Sequence, residues 1–186
     1  MKKIIVIASV ALFAACNSNK NEPAKSGSDT TGTTMQMRDI NSPYPVGYSS
    51  KFAIDDPKYA EAVLNLWKIW DAGDLSKAKD LFADSIEMHL SDGTIMKGKS
   101  DSIIAITQPY RNSLGTGTST IDAVVSLKST DKNEHWGLVW GEGKYTKNGK
   151  TDCTSMQETW RFNADGKADF MLQYEQKTAP PKMMKK

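Results

Sequence analysis

In this chain of 186 residues, chemistry would have to rest on two histidines, two cysteines and a set of tryptophans and acids in the C-terminal half. Neither His89 nor His135 belongs to an HxxxH or HExxH pattern, so no helix face presents paired imidazoles, and neither a metal site nor a cofactor is expected. GTGT at Gly115–Thr118 lacks the lysine and the following helix that a phosphate loop needs. The 24 Lys and Arg residues face 22 Asp and Glu, and no basic array interleaved with aromatics is present, so nucleic acid is not an expected partner. Alternation is the clearer signal. Trp136, Leu138, Trp140 and Glu142 fall at every second position, as do Met156, Glu158, Trp160 and Phe162, and each set shares one face of a strand. Such faces line a cavity, fill a core or meet a second copy of the chain. An inward Glu158 would be desolvated by its apolar neighbours and kept protonated as a donor, whereas at the sheet surface it would be paired. GEGK at Gly141–Lys144 marks a bulge or a place where a ligand or another backbone comes close.

The elements that would position these residues follow from periodicity. Asp55, Asp56 and Pro57 cap and start a helix in which Tyr59, Val63, Leu66, Trp67 and Trp70 recur at helical spacing until Gly73. Trp67 and Trp70 either pack this helix on a sheet or offer a ligand platform. Asp74 caps a shorter helix with Leu75, Ala78, Leu81 and Phe82 on one face. Ser85–Leu90 alternates as a strand, and Asp92 with Gly93 turns it into Thr94–Lys97. A third helix runs from about Lys99 with Ile103, Ile106 and Tyr110 aligned, and Pro109 lies in its last turn. Period two then takes over in Thr120–Ser129, Glu134–Lys147, Lys150–Phe162 and Lys167–Gln176. Asn148 with Gly149, and Asp165 with Gly166, separate the last three as hairpins. Three helices before an antiparallel meander make an α+β domain, the helices closing one face of a curved sheet.

The first 50 residues read differently. Lys2 and Lys3 precede an apolar run from Ile4 to Ala15 that has secretory length and is too short for a permanent span. LFAAC at its end resembles the lipobox of bacterial lipoproteins, with Phe13 where leucine is more usual. The resemblance implies that residues 1–15 are a signal peptide and that Cys16 is lipidated, with the membrane as a partner through several acyl chains, since one chain alone binds marginally. Without Lys2 and Lys3 the 24 basic residues become 22, equal to the 22 acidic ones. Residues 16–50 are a polar linker with a reach of roughly 30 to 35 Å. Its end, Ile40–Tyr48, is less polar and either lies across the domain or stiffens the linker. Residues 51–178 form the domain and 179–186 a basic tail. Cys153 then has no intramolecular partner and reads as a small buried hydrophobe. The expected address is the cell envelope outside the cytoplasm, with the outer membrane favoured because Asn17 follows Cys16.

The run DAGDLSKAKDLFADSIEMHLSDGTIMKG resembles a stretch of the ketosteroid isomerases and SnoaL-like proteins of the nuclear transport factor 2-like superfamily. WRFNADGKADFMLQY is similar to their penultimate hairpin. Together the two bracket about residues 55–176. The resemblance implies a cone with a pocket between three helices and a curved, mostly antiparallel sheet. Counted without gaps, the isomerases' general base falls on His89, their proton-donating aspartate on Glu158 and their hydrogen-bonding tyrosine on Leu66, so a ketosteroid isomerase mechanism is not expected. His89 and Glu158 would instead form a hydrogen-bonded acid/base pair; otherwise His89 lies on the wetter strand face with Glu87 and Ser91. Leu66, Trp70, Trp136, Trp140, Met156 and Trp160 are the expected pocket lining.

Three functions follow. A tethered domain binding a small, largely apolar molecule accounts for the aromatic face with few polar groups. An isomerase, dehydratase or cyclase would use His89 and Glu158 to move a proton. A module acting through its sheet face, with a homodimer as the default, is expected if the tryptophans cluster on an exposed face and the cone is filled.

Overall fold

The computed structural model describes residues 40–177. The signal segment, Cys16, most of the linker and the tail 179–186 lie outside the described residues. The elements are β1 (Phe52–Ile54), α1 (Lys58–Ala72), a 3-10 helix (Leu75–Leu81), β2 (Phe82–His89), β3 (Ile95–Lys99), α2 (Ser100–Ser113), β4 (Thr116–Ser129), β5 (Glu134–Lys147), β6 (Lys150–Phe162) and β7 (Ala168–Lys177). Seven strands form one sheet in the order β1-β4-β5-β6-β7-β2-β3. Every pairing is antiparallel except β2 with β7. The helices pack on one face of this curved sheet, an α+β cone.

Local chemistry sets each boundary. Asp56 Oδ1 accepts from Lys58 N at 3.0 Å at the start of α1, and Gly73 closes it in the left-handed region at φ 85°. Ser126 Oγ on β4 accepts from Ala60 N at 2.9 Å, so an N–H left over by the first turn finds a partner on the sheet. Asp74 accepts from Ser76 N and caps the 3-10 helix. Asn148 and Gly149 both have positive φ, 53° and 75°, the backbone that a two-residue hairpin requires.

The core lies between α1, α2 and the inner sheet face, and comprises Tyr59, Val63, Leu66, Trp67, Ile86, Ile103, Val139, Trp160, Phe162 and Met171 among others. Burying each large apolar side chain contributes about 1.5–3 kcal/mol. α1 comes unusually close to β5 at Gly141, where a Cβ would stand 2.9 Å from Trp67 Cζ3. The close backbone approach anticipated in GEGK is that of the Thr120 carbonyl of β4, with the Trp67 indole of α1 against the same glycine. The accompanying irregularity lies on β4, whose pairing with β5 slips between Ile121 and Ala123.

The tryptophans divide between the two faces. Val139 and Glu158 are register partners and both are buried, so Met156, Glu158, Trp160 and Phe162 point into the cone. Trp136 and Trp140 pair with Arg161 and Gln157 on the opposite face, and Trp140 is 38% exposed. Trp136 and Trp140 therefore do not line the cone: residues two apart share a face, and the set that contains Glu158 took the inner one. Tyr48 lies on that outer face, edge-on to Trp136 with ring centroids 5.5 Å apart. Its hydroxyl donates to Glu134 and accepts from Trp136 Nε1, so the end of the linker lies against the domain.

Candidate functional site

Glu158 is the centre of the cone. It is 7% exposed. Its Oε2 accepts from two indoles, Trp67 Nε1 at 2.7 Å and Trp160 Nε1 at 2.9 Å, and its Oε1 accepts from Gln173 Nε2 at 2.9 Å. The carboxyl thus ties α1 to β6 and β7. No cation faces it among the described salt bridges. Burial pushes its pKa above the ordinary carboxylate range, and the three N–H donors offset only part of that push.

Further along the inner face stands Tyr145. Its hydroxyl accepts from Trp70 Nε1 at 2.9 Å. Burial, the largest cause, lifts its pKa, as it lifts that of Tyr110 on α2. The Tyr145 ring lies over glycine: a Cβ at Gly143 would meet Tyr145 Oη at 2.6 Å and Met156 Cε at 2.8 Å. Behind it Arg111, 3% exposed, donates to the carbonyls of Trp70, Asp71 and Gly115. Its guanidinium stands 5.8 Å from the Trp70 ring and 5.9 Å from the Tyr145 ring. Arg111 therefore closes the C-terminal carbonyls of α1 and clamps both aromatics.

Leu66 and Trp160 are buried in the core, while Trp70 and Met156 are half-buried. His89 is elsewhere. Its ring sits 2.7 Å from Glu87 Oε1, not against Glu158. Met88 is the register partner of the inward Met171, so His89 and Glu87 point outward. The expected His89–Glu158 pair does not form. A gapless count cannot register that the β2–β7 pairing slips between Phe82 and Glu87, and a one-residue slip exchanges faces. Glu87, bonded to His89 and Lys97, is pulled down to about 2.

The other histidine pairs as well. His135 Nδ1 is 2.6 Å from Asp55 Oδ2, and its ring stacks on Tyr59 at 4.6 Å. It borders a hollow of about 300 Å³ with Glu134, Arg161, Asn163 and Asp169. A second hollow, of about 520 Å³, lies at the C-terminal end of α1 between Asp71, Asp74, Arg111 and Thr116. Among the described residues no group of three or more His, Cys, Asp or Glu could hold a metal ion.

Tyr145, Gln173 and Arg111 were not singled out from sequence as site residues, and Trp67 stood there as helix packing or a ligand platform. A signal for Tyr145 was present: Gly137, Val139, Gly141, Gly143 and Tyr145 share one parity on β5, the same face as Glu158.

No family model and no curated protein matches the chain. Solved structures do. AusH from Aspergillus nidulans is similar at TM-score 0.54 and 12% identity, covering 69% of this chain and 90% of that one. SalBIII, described as an epoxide hydrolase/cyclase-like enzyme in pyran ring formation, is similar at TM-score 0.52 and 16% identity, covering 66% and 93%. An LEH-like epoxide hydrolase of M. tuberculosis is similar at TM-score 0.50 and 9% identity, covering 64% and 83%. The chain has the nuclear transport factor 2-like fold. At these identities the likeness speaks for the fold and leaves the chemistry to the residues.

Proposed function

We propose that this is a membrane-tethered domain that binds a small, largely apolar molecule inside its cone, where Glu158 serves as a proton donor. The observation that carries this is an acid where a structural role does not need one. A glutamine at position 158 would present one carbonyl oxygen to both indoles without burying an ionisable group, and retaining a desolvated acid costs stability. Ionisable groups perturbed by burial concentrate at functional sites. The fold is shared by SalBIII, an epoxide hydrolase/cyclase-like enzyme, and by an LEH-like epoxide hydrolase of M. tuberculosis. If the molecule is turned over, proton donation of the isomerase, dehydratase or cyclase kind is the step this site would serve, with Glu158 as the acid and without His89. Tethering rests on the lipobox resemblance at Cys16, and the cell envelope is the address we propose from it.

The test is native mass spectrometry after incubation with an extract of the source cells. A small molecule retained by the wild-type protein and lost from E158Q supports the reading. Bare protein in both, or equal retention, counts against it.

A second reading has its own observation. Trp140, Tyr174, Ile95 and Ile54 stand on the open sheet face at 38%, 56%, 59% and 64% exposure. The four long strands β4 to β7, about 4.8 Å apart and each presenting roughly 34 Å of length, give a face of about 650 Å², within the range one partner contributes to a standard interface. The charges around it, Glu87 with Lys97, Glu142 with Lys144 and Arg161 with Asp169, alternate in sign, which suits a second copy of the same face. We propose a homodimer through this face, compatible with a ligand in the cone on the other side of the sheet.

A further inference from the structure

Strand β4 leaves most of one edge bare. β1 is three residues long and pairs only with Leu127–Ser129, and Asp55 N takes the Ser126 carbonyl. From Thr116 to Val125 no strand lies beside that edge among the described residues. At the opposite edge of the sheet, β3 is five residues long and carries Lys97 and Lys99, which is how edges are ordinarily kept from pairing. The bare stretch of β4 has no lysine and no proline, and its one charge is Asp122. Such a row of unpaired N–H and C=O groups is a template for another strand.

The slip at Asp122 makes this edge complementary to itself. Ile121 pairs with Gly141 and Val124 with Val139, both on the inner face, while Thr120 and Val125 pair with Glu142 and Leu138 on the outer one. An unbroken strand would turn residues three apart to opposite faces; the extra residue brings Ile121 and Val124 to the same one. A second β4, antiparallel about a twofold axis between Asp122 and Ala123, then sets Ile121 opposite Val124 of the other copy and Thr120 opposite Val125, each pair on one face. Ile121 is 38% exposed, a large apolar side chain that this pairing would cover.

Helix α1 supplies a separate reason for a second copy. Ala60 N bonds Ser126 Oγ at 2.9 Å and Asp71 Oδ1 accepts from Ser119 Oγ at 2.8 Å, both on β4. Val63 and Trp67 stand over Gly137 and Gly141 of β5. The helix therefore lies along the β4–β5 seam, with its middle, Leu64 to Leu66, over Asp122 and Ala123. With strands about 4.8 Å apart, adding a second β4 beside the first brings the two α1 axes about 10 Å apart, close to the roughly 8–10 Å at which helices pack. Glu61 and Lys68 are exposed, stand two turns apart on one stripe and flank the half-buried Leu64. Neither has an ion-pair partner among the described residues. About an axis at Leu64 and Asn65, Glu61 of each helix meets Lys68 of the other.

We propose that the β4 edge is a docking surface for β4 of a second copy, joining two seven-stranded sheets into one and laying two α1 helices side by side. The contact is smaller than the open sheet face and separate from it, so it adds to the face-to-face dimer at higher concentration.

The test is sedimentation of the full chain carrying Tyr174→Glu, which charges the open face three strands away from β4 and so isolates the edge contact. That protein is expected to pass from monomer to dimer with rising concentration, with slower amide exchange at Thr120–Val125 in the dimer. Glu61→Lys or Lys68→Glu, added singly, should weaken the dimer about thirtyfold, since two symmetric exposed pairs become repulsions. The two together should restore it to within about threefold, a rescue that a change in folding does not produce. Single reversals without effect, a double variant no better than the singles, or association without slowed exchange at Thr120–Val125 would each overturn the proposal. A Tyr174→Glu chain that stays monomeric up to its solubility limit also overturns it, and leaves a wild-type dimer to the open face alone.

Discussion

Replacing Glu158 separates its two roles. In E158A the Trp67 and Trp160 indoles and the Gln173 amide lose their acceptor inside the core. Each buried donor left without a partner costs about 1–3 kcal/mol, and the space vacated by the side chain adds roughly 1 kcal/mol. Partial relaxation by Gln173 leaves a net loss of about 4 kcal/mol, a large share of the 5–15 kcal/mol that holds a domain of this size together. E158Q keeps an oxygen for both indoles, and Gln173 can turn its amide to present oxygen, so its stability should stay within about 1 kcal/mol of wild type. The assay is urea unfolding followed by tryptophan fluorescence, repeated from pH 4 to pH 8. Burial holds the Glu158 pKa above its unfolded value. Wild-type stability is therefore full below the ordinary carboxylate range and declines as the pH rises through the raised value, where the native state must give up a proton the unfolded chain has already lost. E158Q lacks that decline, so the variant gains on wild type as the pH rises. E158A within 1 kcal/mol of wild type, or parallel pH profiles for wild type and E158Q, would refute the reasoning.

Other outcomes follow from particular contacts. R111M removes the donors to Trp70, Asp71 and Gly115 carbonyls and should cost about 3 kcal/mol by the same unfolding assay. G141A drives a methyl into the Trp67 ring and the β4 backbone; the expected loss is about 2–3 kcal/mol, with the Trp67 indole proton shifted in the NMR spectrum. W140E places a charge on the open sheet face and should turn a dimer into a monomer by light scattering, while leaving the melting of the isolated domain nearly unchanged. C16S should move the protein from the membrane fraction to the soluble envelope fraction if Cys16 carries the lipid.

Much of the architecture was legible because it is local. β5 and β6 begin and end where alternation and the Asn148–Gly149 turn put them, β4 begins at Thr116 instead of the expected Thr120, and Gly73 ends α1 where the apolar period stops. What failed to show was long-range. β1 is three residues long and is a strand only because β4 is beside it. The parallel pairing of β2 with β7 joins distant segments and carries no local signal. Ile106 and Tyr110 keep helical spacing with Ile103, yet only Ile103 is buried, because α2 turns one flank away from the core. For the site, the inward direction of Glu158 follows from its apolar companions Trp160 and Phe162. The direction of the neighbouring strand does not, since its two tryptophans fall on one face and its three glycines on the other, so side-chain size points to the wrong face. Trp136 and Trp140 were therefore assigned to the cone although they lie outside it, and the glycines that make room for Trp67 and Tyr145 were the better guide.

The most direct measurement is the titration of the Glu158 side-chain carboxyl carbon by NMR, in protein labelled at glutamate and assigned with E158Q. A donor in a desolvated cone predicts a midpoint well above that of every exposed glutamate, with the Trp67 and Trp160 indole protons shifting in the same titration. A midpoint in the ordinary carboxylate range, or indole protons indifferent to it, would contradict the account.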